Sequence, residues 1–113
     1  MTLHQNFING EWIGSAHARD NMNPSDLSDI IGSYAQASQA DAEAAIAAAK
    51  AASPAWAQTT PQQRADILEA TGVELLARKD EIGKLLAREE GKPLANGIAE
   101  TMRAAQIDRK SVV

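Results

Sequence analysis

From Ser38 to Ile107 the chain is punctuated as a series of helices, and that punctuation constrains its fold more than any other feature. Ser38 with Asp41 fits a helix start, the serine as N-cap and the acid in the first turn, where the helix dipole favours negative charge. Ala42, Ala45, Ile46 and Ala49 then form a narrow apolar stripe at helical spacing, smooth enough for a covering layer to approach closely. Pro54 is expected to end or bend this helix, with Trp56 anchoring its exit. Thr60-Pro61-Gln62-Gln63 is a fuller start signal. Thr60 and Gln63 can satisfy each other's backbone N–H groups as a capping box, and Pro61 sits at the first helical position, where its missing N–H costs nothing.

Ile67, Leu68, Thr71, Leu75 and Leu76 are expected to supply the buried face of that second helix. Arg78-Lys79-Asp80 marks a joint. Beyond it Ile82, Leu85, Leu86 and Glu89 continue a helical stretch that Gly91 can close in a left-handed C-cap. After Pro93 a last helical pattern carries Ile98, Met102 and Ala105 on one side.

The first third of the chain reads differently. Asn9-Gly10 predicts a type I′ hairpin turn, because both central residues of that turn need positive φ. Counting outward, Ile8 faces Glu11 and Phe7 faces Trp12, an aromatic pair worth about 0.5 kcal/mol beyond its area. A lone hairpin is marginal in water, so the pair needs a surface to pack on. Residues from Gly14 to Asp29 read as loop, with Asn23-Pro24-Ser25-Asp26 as a turn beside an extended Met22. Asp29 to Ala35 reads as a short strand. The expected fold is mainly α, with a short N-terminal β-hairpin and one further strand.

Composition narrows the function classes. The length of 113 residues suits one domain, and 44% hydrophobic with 23% charged residues is ordinary for a globular chain. A net charge of -4 and a pI near 5.1 provide no basic face for a phosphate backbone, so nucleic acid is not an expected partner. No stretch is long and apolar enough to span a membrane, and Met1-Thr2-Leu3-His4 does not open a signal peptide, so the expected location is the cytoplasm. The chain has no cysteine, which removes disulfides, thiolate metal sites and a cysteine nucleophile from these residues.

No catalytic constellation emerges. His4 and His17 lack carboxylate partners at ligand spacing and read as surface residues. Glu89 and Glu90 are adjacent on a helix and point about 100° apart, so they cannot act as facing acid and base. Gly91-Lys92 lacks the preceding glycines of a phosphate-binding loop. Ser25, Ser28 and Ser33 lack the context of a nucleophile elbow.

Taken in order, Phe7 to Trp12, Asn23-Pro24 with its short strand, the alanine-rich helix ending near Ala55-Trp56, the Arg64-containing helix after Pro61, and Glu90-Gly91-Lys92-Pro93-Leu94 resemble the N-terminal segment of an aldehyde dehydrogenase. The resemblance covers about residues 6 to 107. Within that superfamily, Asn23 to Asp29 and Ala87 to Lys92 are most similar to enzymes oxidising α-ketoglutaric semialdehyde. The resemblance implies a larger, homo-oligomeric parent that oxidises a small aldehyde with NAD or NADP, using a cysteine nucleophile and a glutamate that activates water. It places this chain in the outer helices of the Rossmann-like cofactor-binding domain, with no catalytic, cofactor-binding or metal residue of its own. A monovalent cation held between the Met22 carbonyl and the Glu100 carboxylate is one further implication.

Residues 108–113, Asp-Arg-Lys-Ser-Val-Val, depart from the family pattern, which continues with aromatic residues. They match the in-frame translation of a common sequencing adapter, and the expectation is a native segment of residues 1–107 followed by a non-native tail. The helical faces are expected to be shaped for a partner layer lying outside this chain. The alternative is a self-sufficient helical module that dimerises through the alanine stripe around Ile46.

Overall fold

A computed structural model describes residues 3–110, with side chains through Ile107. The chain is mainly helical with a few short strands. Contacts divide it into two units, Met1–Met22 with Ser28–Gln58, and Asn23–Leu27 with Thr59–Val113.

In the first unit the Asn9-Gly10 turn forms as its chemistry requires, with φ of 53° and 81°. It joins β2 (Asn6–Ile8) to β3 (Glu11–Ile13), antiparallel, with Phe7 opposite Trp12 and Ile8 opposite Glu11. The two rings are 4.8 Å apart and tilted by 50°. Three more strands make a second sheet, in the order β1 (Leu3–His4), β5 (Asp26–Ala35), β4 (Ala18–Asn23). β1 runs parallel to β5, pairing Leu3 with Ser33 and His4 with Tyr34.

This corrects the expectation of one strand beyond the hairpin. β4 lies in what reads as loop, and β5 begins at Asp26 rather than Asp29. Ala18-Arg19-Asp20-Asn21-Met22-Asn23 is poor in β-forming residues; pairing with β5 across the two-residue Pro24-Ser25 turn overrides its local preference. His4 likewise sits in a strand rather than a tail, stacked on Tyr34 with ring centroids 4.7 Å apart.

α1 (Gln39–Ala57) opens with a full capping box: Asp41 N–H donates to the Ser38 hydroxyl, and Ser38 N–H donates to Asp41 Oδ2. Pro54 does not end it. The helix runs one further turn to Ala57 before Gln58 N–H closes on the Ala55 carbonyl. Pro54 withdraws one N–H from the ladder, but the alanines around it have the highest helix propensity. No residue of α1 is buried, and Ile46 is 69% exposed.

In the second unit α2 (Pro61–Ala77) starts on the Thr60/Gln63 capping box, and Arg78 is the joint to α3 (Lys79–Glu90). α4 (Leu94–Lys110) packs against both α2 and α3. The buried positions are small: Gly72 on α2, Gly83 and Ala87 on α3, Gly97, Thr101 and Ala105 on α4. The expected α2 face is therefore only partly covered, since Leu68, Leu75 and Leu76 are half-buried while Ile67 and Thr71 are exposed. On α4 Ala105 is fully buried, Ile98 half-buried and Met102 exposed. The helices meet through close backbone approach at glycine rather than through interdigitated leucines.

Among the described residues the buried hydrophobic side chains are Ala35 in the first unit and Ala87 and Ala105 in the second, and no large side chain is fully enclosed. Leu27, Trp12 and Phe7 are 60–70% exposed, and Trp56, Val73 and Leu94 are also open. Residues 111–113 of the expected tail lie outside the described residues, and the α4 backbone continues past Ile107 to Lys110.

Candidate functional site

A polar cluster surrounds the end of α3. Gly91 takes the left-handed conformation, φ 67°, that a helix C-cap demands, and Lys92 N–H donates to the Ala87 carbonyl, 3.0 Å. The Asn23-Pro24-Ser25 turn lies directly against this cap. Asn23 Oδ1 accepts from Ser25 N–H at 2.9 Å, and Ser25 Oγ donates to the Gly91 carbonyl at 3.0 Å. A Cβ on Gly91 would stand 2.6 Å from Ser25 Oγ and 2.9 Å from the Pro24 ring, so glycine serves here both for its φ and for its lack of bulk. Sequence reading found the turn and the cap separately. Their contact spans 66 positions, and no local signal announces it.

Lys92 then reaches across to α4. Its Nζ lies 2.6 Å from Glu100 Oε1 and also pairs with Glu90. Glu100, and after it Glu90, hold the ammonium above the ordinary lysine range. A lysine so firmly protonated is neither a nucleophile nor a base; it is a brace between the helix end and α4. Beside it a cleft of about 290 Å³ is lined by Asn23, Ser25, Lys84, Ala87, Gly91 and Leu94. It contains hydrogen-bonding and cationic groups but no cysteine.

The other residues singled out from sequence are not assembled into chemistry. Glu90 turns to Lys92. His17 N–H donates to Ser15 Oγ, and its carbonyl accepts from Gln36 N–H. Met22 belongs to the first unit and is 51% exposed, whereas Glu100 belongs to the second and accepts from Lys92. Among the described residues no group of three or more His, Cys, Asp or Glu is arranged to hold a metal ion. Among the described residues no helix is long and apolar enough to cross a membrane. The strand-to-helix connection Gln36-Ala37-Ser38 contains no glycine and so differs from the Gly-rich turn of the G-x-G-x-x-G dinucleotide fingerprint.

The model of the aldehyde dehydrogenase family matches residues 12–112. The chain belongs to that family. Among curated relatives it is 36% identical over 105 residues to the α-ketoglutarate semialdehyde dehydrogenase of Haloferax volcanii, covering 91% of this chain and 22% of that protein. It is 37% identical over 112 residues to the α-ketoglutaric semialdehyde dehydrogenase of Bacillus subtilis, covering 96% of this chain and 23% of that one. The sequence resemblance to the superfamily, semialdehyde enzymes included, is thus borne out. Among solved structures, NADP-dependent glyceraldehyde-3-phosphate dehydrogenase from Bacillus halodurans, complexed with NADP, superimposes with a TM-score of 0.94 at 31% identity. That superposition covers 99% of this chain and 24% of the other. The chain therefore spans less than a quarter of the relatives it matches.

Proposed function

We propose that this chain is the N-terminal part of the Rossmann-like cofactor-binding domain of an NAD(P)-dependent aldehyde dehydrogenase, and that its role is structural support. The observation that carries this reading is the match along 96% of the chain to only 23% of a semialdehyde dehydrogenase, combined with helical faces left uncovered. In the parent these faces would lie over the sheet that holds the cofactor. No catalytic step is assigned to the residues of this chain, which has no cysteine. The parent would oxidise a small aldehyde, a semialdehyde of the α-ketoglutaric type being favoured by the names of the relatives. We place that parent in the cytoplasm as a homo-oligomer.

A chimaera tests the reading. Residues 1–107 replace the matching segment of the Bacillus subtilis enzyme, and NAD(P)H formation from α-ketoglutaric semialdehyde is followed. The chimaera is expected to retain activity while the 113-residue chain alone shows none. Turnover by the chain alone overturns the structural role, and a soluble, folded but inactive chimaera overturns the placement.

A further inference from the structure

The sequence contains two Asn-Gly dipeptides, Asn9-Gly10 and Asn96-Gly97, and the fold treats them in opposite ways. Asn-Gly is chemically labile because the glycine amide nitrogen, unshielded by a side chain, can attack the asparagine side-chain carbonyl. Both asparagines are exposed, so access to the side chain does not separate them. The state of the attacking nitrogen does.

Gly97 N–H donates to the Pro93 carbonyl at 3.3 Å in the first turn of α4, and the residue is buried. Its Cα side is pressed against the Gly83 carbonyl of α3, so bringing its nitrogen to the Asn96 side chain requires opening the α3–α4 crossing. Gly10 stands at the tip of a two-residue turn with nothing within 4 Å of its Cβ direction. In such a turn the closing bond runs from Glu11 N–H to the Ile8 carbonyl, which leaves the Gly10 N–H outside the turn's own hydrogen bond. Exposed hairpin tips also open at far lower free energy than packed helices.

We propose that Asn9 is a site of spontaneous deamidation and that Asn96, the same dipeptide, is protected by the α3–α4 crossing. Base removes the Gly10 amide proton, and the nitrogen bonds to the Asn9 side-chain carbonyl carbon. The side-chain carbon–nitrogen bond breaks, and the amine leaves as ammonia after taking up a proton from water. The resulting succinimide ring then adds water. Opening at the side-chain carbonyl yields aspartate with the main chain unchanged. Opening at the main-chain carbonyl yields isoaspartate, which lengthens the backbone by one methylene.

The two products differ in consequence. Asp-Gly suits a type I′ turn as well as Asn-Gly does, so the aspartate form keeps the hairpin. An extra backbone atom in a two-residue turn displaces the pairing that sets Phe7 opposite Trp12, because register here is fixed by loop length. The hairpin is thus built on a turn whose chemistry limits its lifetime.

The test incubates the 113-residue chain at mildly alkaline pH, natively and in urea, and follows tryptic peptides 1–19 and 89–103 by mass spectrometry. Aspartate and isoaspartate products are separated chromatographically. Native Asn9 is expected to react at least about tenfold faster than Asn96, the gap closing in urea as local protection disappears. Asn9→Gln should abolish the change in the first peptide. Similar native rates at the two sites overturn the proposal, whether circular dichroism shows the helices present or lost. An Asn9 that reacts only in urea overturns it as well, since the turn would then be the protecting element.

Discussion

Gly83 and Gly97 meet backbone to backbone where α3 crosses α4. A Cβ on Gly83 would lie 2.6 Å from Ile98 Cα, and one on Gly97 would run into the Gly83 carbonyl oxygen. The buried row Gly97, Thr101, Ala105 extends this contact along α4, with Thr101 Oγ1 turned back onto the Gly97 carbonyl at 3.0 Å. The crossing is closely packed, whereas Phe7, Trp12 and Leu27 are largely open.

Two effects compete if alanine is placed there. Gly83→Ala or Gly97→Ala gains about 1 kcal/mol of helix propensity, but forced overpacking costs about 1–3 kcal/mol. The obstacle at both sites is backbone, which cannot swing aside, so packing should prevail. Each variant is expected to lower the urea midpoint of the helical circular dichroism signal. A raised midpoint would show that the helices separate without loss.

The two capping boxes are independent of that contact. Ser38→Ala and Thr60→Ala each remove the hydroxyl that receives an N–H in the first turn, at a cost of about 1 kcal/mol. Amide exchange is expected to quicken at Asp41 in the first variant and Gln63 in the second. No change at those amides would mean that water replaces the cap fully.

Stability should respond to pH on both flanks. The Ser38 backbone N–H, and secondarily its hydroxyl, hold the Asp41 carboxyl below its usual range, and a hydrogen bond from Arg78 does the same for Glu81. These contributions are complete above ordinary carboxyl values of about 4 and are lost as pH falls through the lower folded values. Lys92, raised chiefly by Glu100, contributes fully below about 10.4 and loses its contribution as pH rises through its higher folded value. Glu100→Gln should bring the alkaline change to lower pH, as read by helical signal against pH; an unmoved alkaline limb would assign it to another group.

Ile67, Val73, Leu94 and Ile107 are all more than half exposed. The isolated chain is therefore expected to bind a hydrophobic dye, to self-associate with rising concentration and to melt over a broad range. Size-exclusion chromatography and a thermal scan check this. A monomer with a sharp cooperative transition would show that the chain needs no covering layer.

The residues that could be read in advance are those whose reasons lie within a few positions. Asn9-Gly10 sets a turn and with it the Phe7–Trp12 pairing; Ser38 with Asp41, Thr60 with Gln63, and Gly91 each satisfy backbone groups one turn away. Such contacts are made by any chain that starts the helix or turn, so four residues suffice to specify them. The family resemblance was carried by the same local motifs, spread in order along the chain.

Tertiary structure decided the rest. β4 became a strand because β5 offered it a partner, and β1 found its parallel neighbour some thirty positions away. The buried stripe of α4 fell on Gly97, Thr101 and Ala105 rather than on Met102, because α4 packs against both α2 and α3 and the α3 backbone comes closest at Gly97; a glycine's value appears only when another helix approaches. Ser25 became the support of Gly91 for the same reason. Hydrogen-bond chemistry within one turn is written locally, whereas close approach and burial belong to pairs of segments that meet only after folding.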